Sequence, residues 1–182
     1  MRSRTQVNVL IVKLQGSKLF IFFVPILVFI ADQLTKYWVK TNLDQYVPVN
    51  IIGHYLRFTY CENPGMAFGI KLGGYVHVLT ILSVVFTIYI IYYLYQLINE
   101  HLLLQFSMAL ILGGALGNIY DRIMMMINPE NVTGVIDFID VGLNPSMRWY
   151  IFNIADSAIT IGIILYLIYS FIAEKEISKI KN

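Results

Sequence analysis

Four apolar stretches dominate the chain and narrow what it can fold into. They run from about Leu19 to Val39, Tyr75 to Ile98, Leu102 to Tyr120 and Phe152 to Ala173. Each is close to the roughly 20 residues that a helix needs to cross a bilayer. A soluble domain would carry about 25% charged residues; here the figure is 13%, with 58% hydrophobic. There is too little polar surface to cover a soluble globule. The sequence therefore predicts an α-helical membrane protein, a single integral domain over residues 1–182 with four transmembrane helices. Basic residues before the first run (Arg2, Arg4, Lys13, Lys18) resemble a signal peptide. No small-residue cleavage site follows, so this run reads as an uncleaved anchor.

Two long connections remain, Lys40 to Gly74 and Asp121 to Ile151, against a very short "NEH" link between the second and third runs. Basic residues at both chain ends place the termini in the cytoplasm, which puts both long loops outside. Within the loops, "HYLRFTYCEN" and "TGVIDFIDV" alternate in polarity and are rich in β-branched and aromatic residues. They predict strands, and hence a small antiparallel sheet formed by the outer loops and lying on the outer membrane surface. Asn63 to Gly65 and the pair Gly73 and Gly74 punctuate them.

Polar groups inside the apolar runs are costly, about 2.5–3.5 kcal/mol for a centrally placed Asp or Lys. Three runs carry them at similar depth near the outer end. Asn153, Asp156 and Thr160 share one helical face, Asn118, Asp121 and Arg122 another, and Asp32 and Lys36 stand one turn apart. Such groups line a partly wet site or serve as interhelical glue. Asp32 with Lys36 reads first as a pair that fixes the first helix, and Asp121 with Arg122 as a local ion pair. Gly113 and Gly117 fit close helix packing.

Other chemistries fit less well. His54, His77 and His101 are scattered without ligand spacing, so no metal and no cofactor are expected. Ser157 lies off the Asp156 stripe and lacks a nucleophile-elbow frame. Cys61 has no histidine in any motif beside it. The small net charge of +2 gives no nucleic-acid signal. The carboxylates Asp32, Asp121, Asp137, Asp140 and Asp156 remain, and residue chemistry alone does not say which two pair. Asp140 is an odd step along its strand from Asp137, so it is expected on the other face and to tolerate change.

Five stretches in order resemble the lipoprotein signal peptidases, or signal peptidase II, over nearly the whole chain. They are "DQLTK" (Asp32 to Lys36), "ENPGMAFG" (Glu62 to Gly69), "GGALGNIYDR" (Gly113 to Arg122), "GVIDFI" (Gly134 to Ile139) and "FNIADS" (Phe152 to Ser157). The resemblance implies a bacterial cell-membrane aspartic endopeptidase that acts on lipid-modified preprolipoproteins, cuts just before the lipidated cysteine, and works as a monomer among membrane lipids. By motif position the catalytic pair is Asp137 and Asp156, surrounded by Asn63, Asn118, Arg122 and Asn153. Asn63 and Asn118 are then candidates to hold the substrate backbone. Asp32, Lys36, Gly65, Gly114 and Asp121 match positions with structural or substrate-orienting roles. The stretch "IMMMINPENVT" after Arg122 is longer than the pattern. The competing readings are a small transporter or proton relay, and a non-catalytic scaffold; a relay would spread ionisable groups through the membrane depth.

Overall fold

In the computed structural model, residues 20–67, 70–71 and 76–181 are described. The basic N-terminal residues and the Gly73–Gly74 pair lie outside them. Four long helices carry the fold: α1 (Phe23–Asn42), entered through a 3-10 turn at Phe20–Phe22, α2 (Val76–Gln96), α3 (Leu102–Ile127) and α4 (Ile154–Lys181). Between α1 and α2 lie strands β1 (Val49–Ile52), β2 (Leu56–Asn63), β3 (Met66–Ala67) and β4 (Ile70–Lys71); β5 (Val135–Val141) lies between α3 and α4.

Three stretches among the described residues are long and apolar enough to cross a membrane: His77–Asn99, Leu102–Ile127 and Ile154–Lys175. The first helix departs from the four expected spans, because Asp32, Lys36 and Lys40 interrupt its apolar character. Asp32 and Lys36 are turned inward and buried, while Phe23, Ile26, Leu27, Ile30 and Leu34 are exposed. This pattern, polar inside and apolar outside, suits a helix whose solvent is lipid.

α3 is the central helix and packs against the other three. Glycines make its closest approaches possible. A Cβ on Gly113 would lie 2.6 Å from the Val28 side chain of α1, and one on Gly114 would run into the Ala155 carbonyl oxygen of α4. Small-residue packing is thus how the three helices that carry polar groups come together. One apolar cluster joins Ile21 and Val24, at the start of α1, to Ile90 and Leu94 of α2 and to Leu104, Met108 and Leu112 of α3. A second joins Val39, Tyr60 and Phe138 where α1 meets the sheet. Along α1, Asp32 and Lys36 fall between these two clusters.

The sheet is antiparallel in the order β1-β2-β5, with β3 and β4 forming a separate hairpin. Polarity alternation predicts β2 and β5 but not β1. Cys61 pairs with Asp137 and Arg57 with Asp140, with a bulge between Phe58 and Cys61. Ile139 also exchanges backbone hydrogen bonds with Phe152 (Ile139 N–H to Phe152 O, 2.7 Å; Phe152 N–H to Ile139 O, 3.1 Å). That stitch fixes β5 against the start of α4. α3 runs about two turns past Tyr120, so Asp121 and Arg122 are helical and not part of a loop, as are Met124 to Met126.

Asp140 corrects an expectation. It is buried, receives Arg148 Nε at 2.5 Å and Thr59 Oγ1 at 3.0 Å, and so pins the turn after β5 to the sheet. Arg148 also donates to the His54 carbonyl at 2.7 Å. Asp140→Asn takes the charge from that pair, and a hydrogen bond to a charged group is worth about 1.5–3 kcal/mol. We expect a loss of that size in thermal unfolding in detergent, with the cleavage rate per folded molecule retained. Unchanged stability would show the pair to be idle.

Candidate functional site

The α4 N-terminus organises the site. Asn153 precedes the helix and accepts the Asp156 N–H at 2.9 Å on Oδ1, while Asp156 Oδ2 accepts the Asn153 N–H at 3.3 Å. This is a reciprocal cap built from "NIAD", with the Asp in the first turn where the helix dipole favours negative charge. A third donor of the same helix end, the Ala155 N–H, is taken by Asp32 Oδ1 of α1 at 2.9 Å. The location of Asp156 in a greasy helix therefore has a local structural cause before any chemistry.

Asp137 comes to the same place from the sheet and is 4% exposed. Its Oδ1 accepts the Asn153 side-chain amide at 2.7 Å, and its Oδ2 accepts that of Asn63 at 3.1 Å. Asn63 is oriented in turn by the Gly65 N–H, which donates to its Oδ1 at 3.1 Å. Gly65 has φ +110°, a conformation that L side chains rarely adopt, and this gives that glycine its role. Asp156 Oδ1 accepts the Asn118 side-chain amide at 2.7 Å. Asn118 Oδ1 accepts Asn153 Nδ2 at 3.2 Å. Two carboxylates from different elements are thus linked by two asparagine amides.

Behind Asn118 lies a buried ionic cluster. Lys36 Nζ is 2.6 Å from Asp32 Oδ2, 2.7 Å from Asp121 Oδ2 and 3.3 Å from Asn118 Oδ1. Gln33, unremarked in the sequence though it lies inside "DQLTK", donates to Asp32 Oδ2 and Asp121 Oδ1, both at 3.1 Å. Asp121 is therefore paired with Lys36 and not with its neighbour Arg122. Arg122 is half-buried and acts on the site at longer range, on Asp156 most strongly and then on Asp121 and Asp137.

Burial foremost, and then the Asp156 charge, push the Asp137 carboxyl up to about 7, against the opposing pull of the Asn63 and Asn153 hydrogen bonds and of Lys36. A carboxyl so placed holds a proton near neutrality. The Cys61 thiol is pushed up to about 12, by burial first and then by Asp137 and Asp140. It is kept protonated, which is the wrong state for a nucleophile. Ser157 donates its hydroxyl to the Asn153 carbonyl at 2.8 Å, and Lys36 is engaged with carboxylates, so no Ser–Lys couple forms.

All ten sequence candidates have places in this structure. Asn63, Asn118 and Asn153 surround Asp137 and Asp156; Asp32, Lys36 and Asp121 form the cluster behind; Gly65 orients Asn63; Arg122 stands further off. Asn63 and Asn118, the candidates to hold substrate backbone, turn their side-chain amides to the carboxylates.

A helical membrane protein with two linked carboxylates at one end of its bundle, under a small sheet, is the class that fold and site define. The model of the family described as signal peptidase (SPase) II matches residues 24–172. The chain belongs to the signal peptidase II family. Relatives named lipoprotein signal peptidase include those of Moorella thermoacetica (37% identical over 140 residues, 77% of this chain and 85% of the relative) and Shewanella pealeana (37% over 161 residues, 87% and 89%). That of Shewanella oneidensis is 39% identical over 153 residues, 82% of this chain and 85% of the relative. A solved structure described as a bacterial membrane enzyme, obtained by the in meso method at 2.3 Å resolution, superposes with a TM-score of 0.69 at 32% identity. It covers 84% of this chain and 87% of its own.

Proposed function

We propose that this protein is an aspartic endopeptidase working inside the membrane, with Asp137 and Asp156 as its catalytic pair. As a signal peptidase of the second type it is a protease of the bacterial membrane that removes signal peptides from prolipoproteins. The finer reading is that the precursor is diacylglyceryl-modified and is cut just before the lipidated cysteine. The observation that carries it is the joining of a buried carboxylate, Asp137, to a half-buried one, Asp156, through Asn118 and Asn153 at one end of the bundle.

The chemistry follows from the asymmetry of the pair. Two neighbouring carboxylates resist ionising together, so one proton is shared between them. Asp137, pushed up to about 7, keeps that proton and donates a hydrogen bond to the scissile carbonyl. Asp156, at a helix N-terminus with two donors on its oxygens, takes a proton from the attacking water. The tetrahedral species collapses when the amine leaves with a proton from Asp137. Above about pH 7 Asp137 loses its proton, so turnover should fall along a basic limb near that value. A kcat profile flat from about pH 6 to about pH 9 would contradict the role given to Asp137.

The transporter alternative is not favoured: the buried ionisable side chains Asp32, Lys36 and Asp121 gather behind Asp156 in one cluster instead of stepping through the bundle. The chain is read as one membrane domain that acts as a monomer in contact with lipids, with both termini cytoplasmic and the sheet outside. A C-terminal alkaline phosphatase fusion, active only outside the cytoplasm, should be silent; strong activity would reverse the orientation. The function is tested with purified protein in detergent and a lipidated precursor. Release of the signal peptide, with an unlipidated precursor left intact, is expected; cleavage of neither would refute the reading.

A further inference from the structure

We propose that Lys36 is a positioning residue for the carboxylate pair: acting through the side-chain amide of Asn118, it selects Asp156 as the member that draws the proton from water. The inference rests on the aspartic reading above and adds the device that sets the roles of the two carboxylates.

An ammonium group has three N–H donors. Lys36 donates to Asp32 Oδ2 and Asn118 Oδ1 and forms an ion pair with Asp121 Oδ2, and it is only 2% exposed. Asn118 Oδ1 is thereby turned to the cation and also accepts Asn153 Nδ2 at 3.2 Å. Its NH2 end is left facing Asp156 Oδ1, at 2.7 Å. A flipped Asn118 would set its NH2 against an ammonium and another NH2, so the cation fixes which end of the amide faces the carboxylate. An amide whose oxygen is held by a cation is also a stronger N–H donor, because hydrogen bonds in a chain polarise one another.

Asp137 is served differently. Its amide donors are Asn153 and Asn63, whose own oxygens accept backbone N–H groups, those of Asp156 and Gly65. The ammonium therefore reaches Asp156 through one amide and Asp137 only through two, Asn118 and then Asn153, although its charge also draws the Asp137 carboxyl down. Asp32 adds a mechanical tie, since the carboxylate that holds Lys36 also accepts the Ala155 N–H beside Asp156. The charged and titratable groups around the pair are Asp32 and Lys36 from α1, Asp121 and Arg122 from α3, Asp137 from β5 and Cys61 from β2. Of these, Lys36 alone is a cation hydrogen-bonded to an amide that also bonds the pair.

The test compares kcat–pH profiles of wild type, Lys36→Met, Asn118→Ser and the double variant on a lipidated precursor, with Asp156→Asn alongside. Without Lys36 the Asn118 oxygen is no longer held by a cation, so its NH2 is a weaker and less directed donor to Asp156. The acidic limb of kcat should move up by about one pH unit in each single variant. At pH values below the limb this is about tenfold in kcat, with KM within about twofold. Because Lys36 acts through Asn118, the double variant should shift no further than Asn118→Ser. An unmoved limb, or additive shifts, would overturn the proposal. Asn118→Ser leaves the Lys36–Asp32–Asp121 cluster intact, so it decides alone if Lys36→Met does not fold. Turnover by Asp156→Asn would instead defeat the aspartic reading, whatever the limbs do.

Discussion

Asp137→Asn and Asp156→Asn each slow turnover of a lipidated precursor by about 10²–10⁴-fold, the range a general acid or base contributes. The two losses have different routes. The Asp137→Asn protein has no acidic proton to give to the leaving amine. The Asp156→Asn protein has no oxygen basic enough to deprotonate water. The Asp156 change also carries a structural cost. Both Asp156 oxygens accept hydrogen bonds, from Asn118 Nδ2 and from the Asn153 N–H. An asparagine there must turn its own NH2 toward one of those donors, and leaving a buried donor unmet costs about 1–3 kcal/mol. Rates should therefore be compared per folded molecule. The check is single-turnover cleavage, with folding followed by thermal melting; a variant that is fully folded and keeps a tenth or more of the wild-type rate would remove its residue from the pair.

Gly114→Ala should be the most damaging single methyl in the helical bundle. Its Cβ would run into the carbonyl oxygen of Ala155, which is backbone and cannot swing aside. Overpacking of this kind costs about 1–3 kcal/mol, occasionally more. The atoms displaced belong to the first turn of α4, which carries Asp156, its cap Asn153 and the Ala155 N–H held by Asp32. Stability and cleavage should fall together, because any shift that relieves the clash moves one carboxylate away from the other. Thermal melting and cleavage on the same preparations measure this. A variant that melts like wild type and cleaves at the wild-type rate would show that α3 and α4 do not approach as closely as that clash requires.

Much of the fold is legible because local pattern and local structure agree. Alternation in "HYLRFTYCEN" and "TGVIDFIDV" reads out as β2 and β5, where Tyr60 and Phe138 pack with Val39 of α1. Motif position singles out Asp137 and Asp156; composition and spacing leave five carboxylates open. What is not legible depends on partners distant in sequence. Asp121 and Arg122 look like the start of a loop, since charges after an apolar run commonly end a span. Lys36 on another helix balances Asp121, so α3 continues to Ile127. Strand parity puts Asp140 on the face opposite Asp137 but does not reveal that Thr59 and the turn that brings Arg148 back make it a buried anchor there. β1 escapes notice because its residues are exposed on both faces, so no alternation marks it. The first helix reads as a fourth span on apolar length, yet its charges set it apart from the other three.

The central claim, that Asp137 and Asp156 act as one catalytic unit, is tested most directly by the double variant Asp137→Asn/Asp156→Asn. Members of a single unit are not additive, because removing either already disables the step in which both take part. Single-turnover cleavage of a lipidated precursor is measured for wild type, both single variants and the double, with precursor binding followed separately. The account predicts a double variant scarcely slower than either single, with binding retained in all four. Losses that multiply, each single variant keeping part of the rate and the double falling by the product, would show two independent contributions and contradict it.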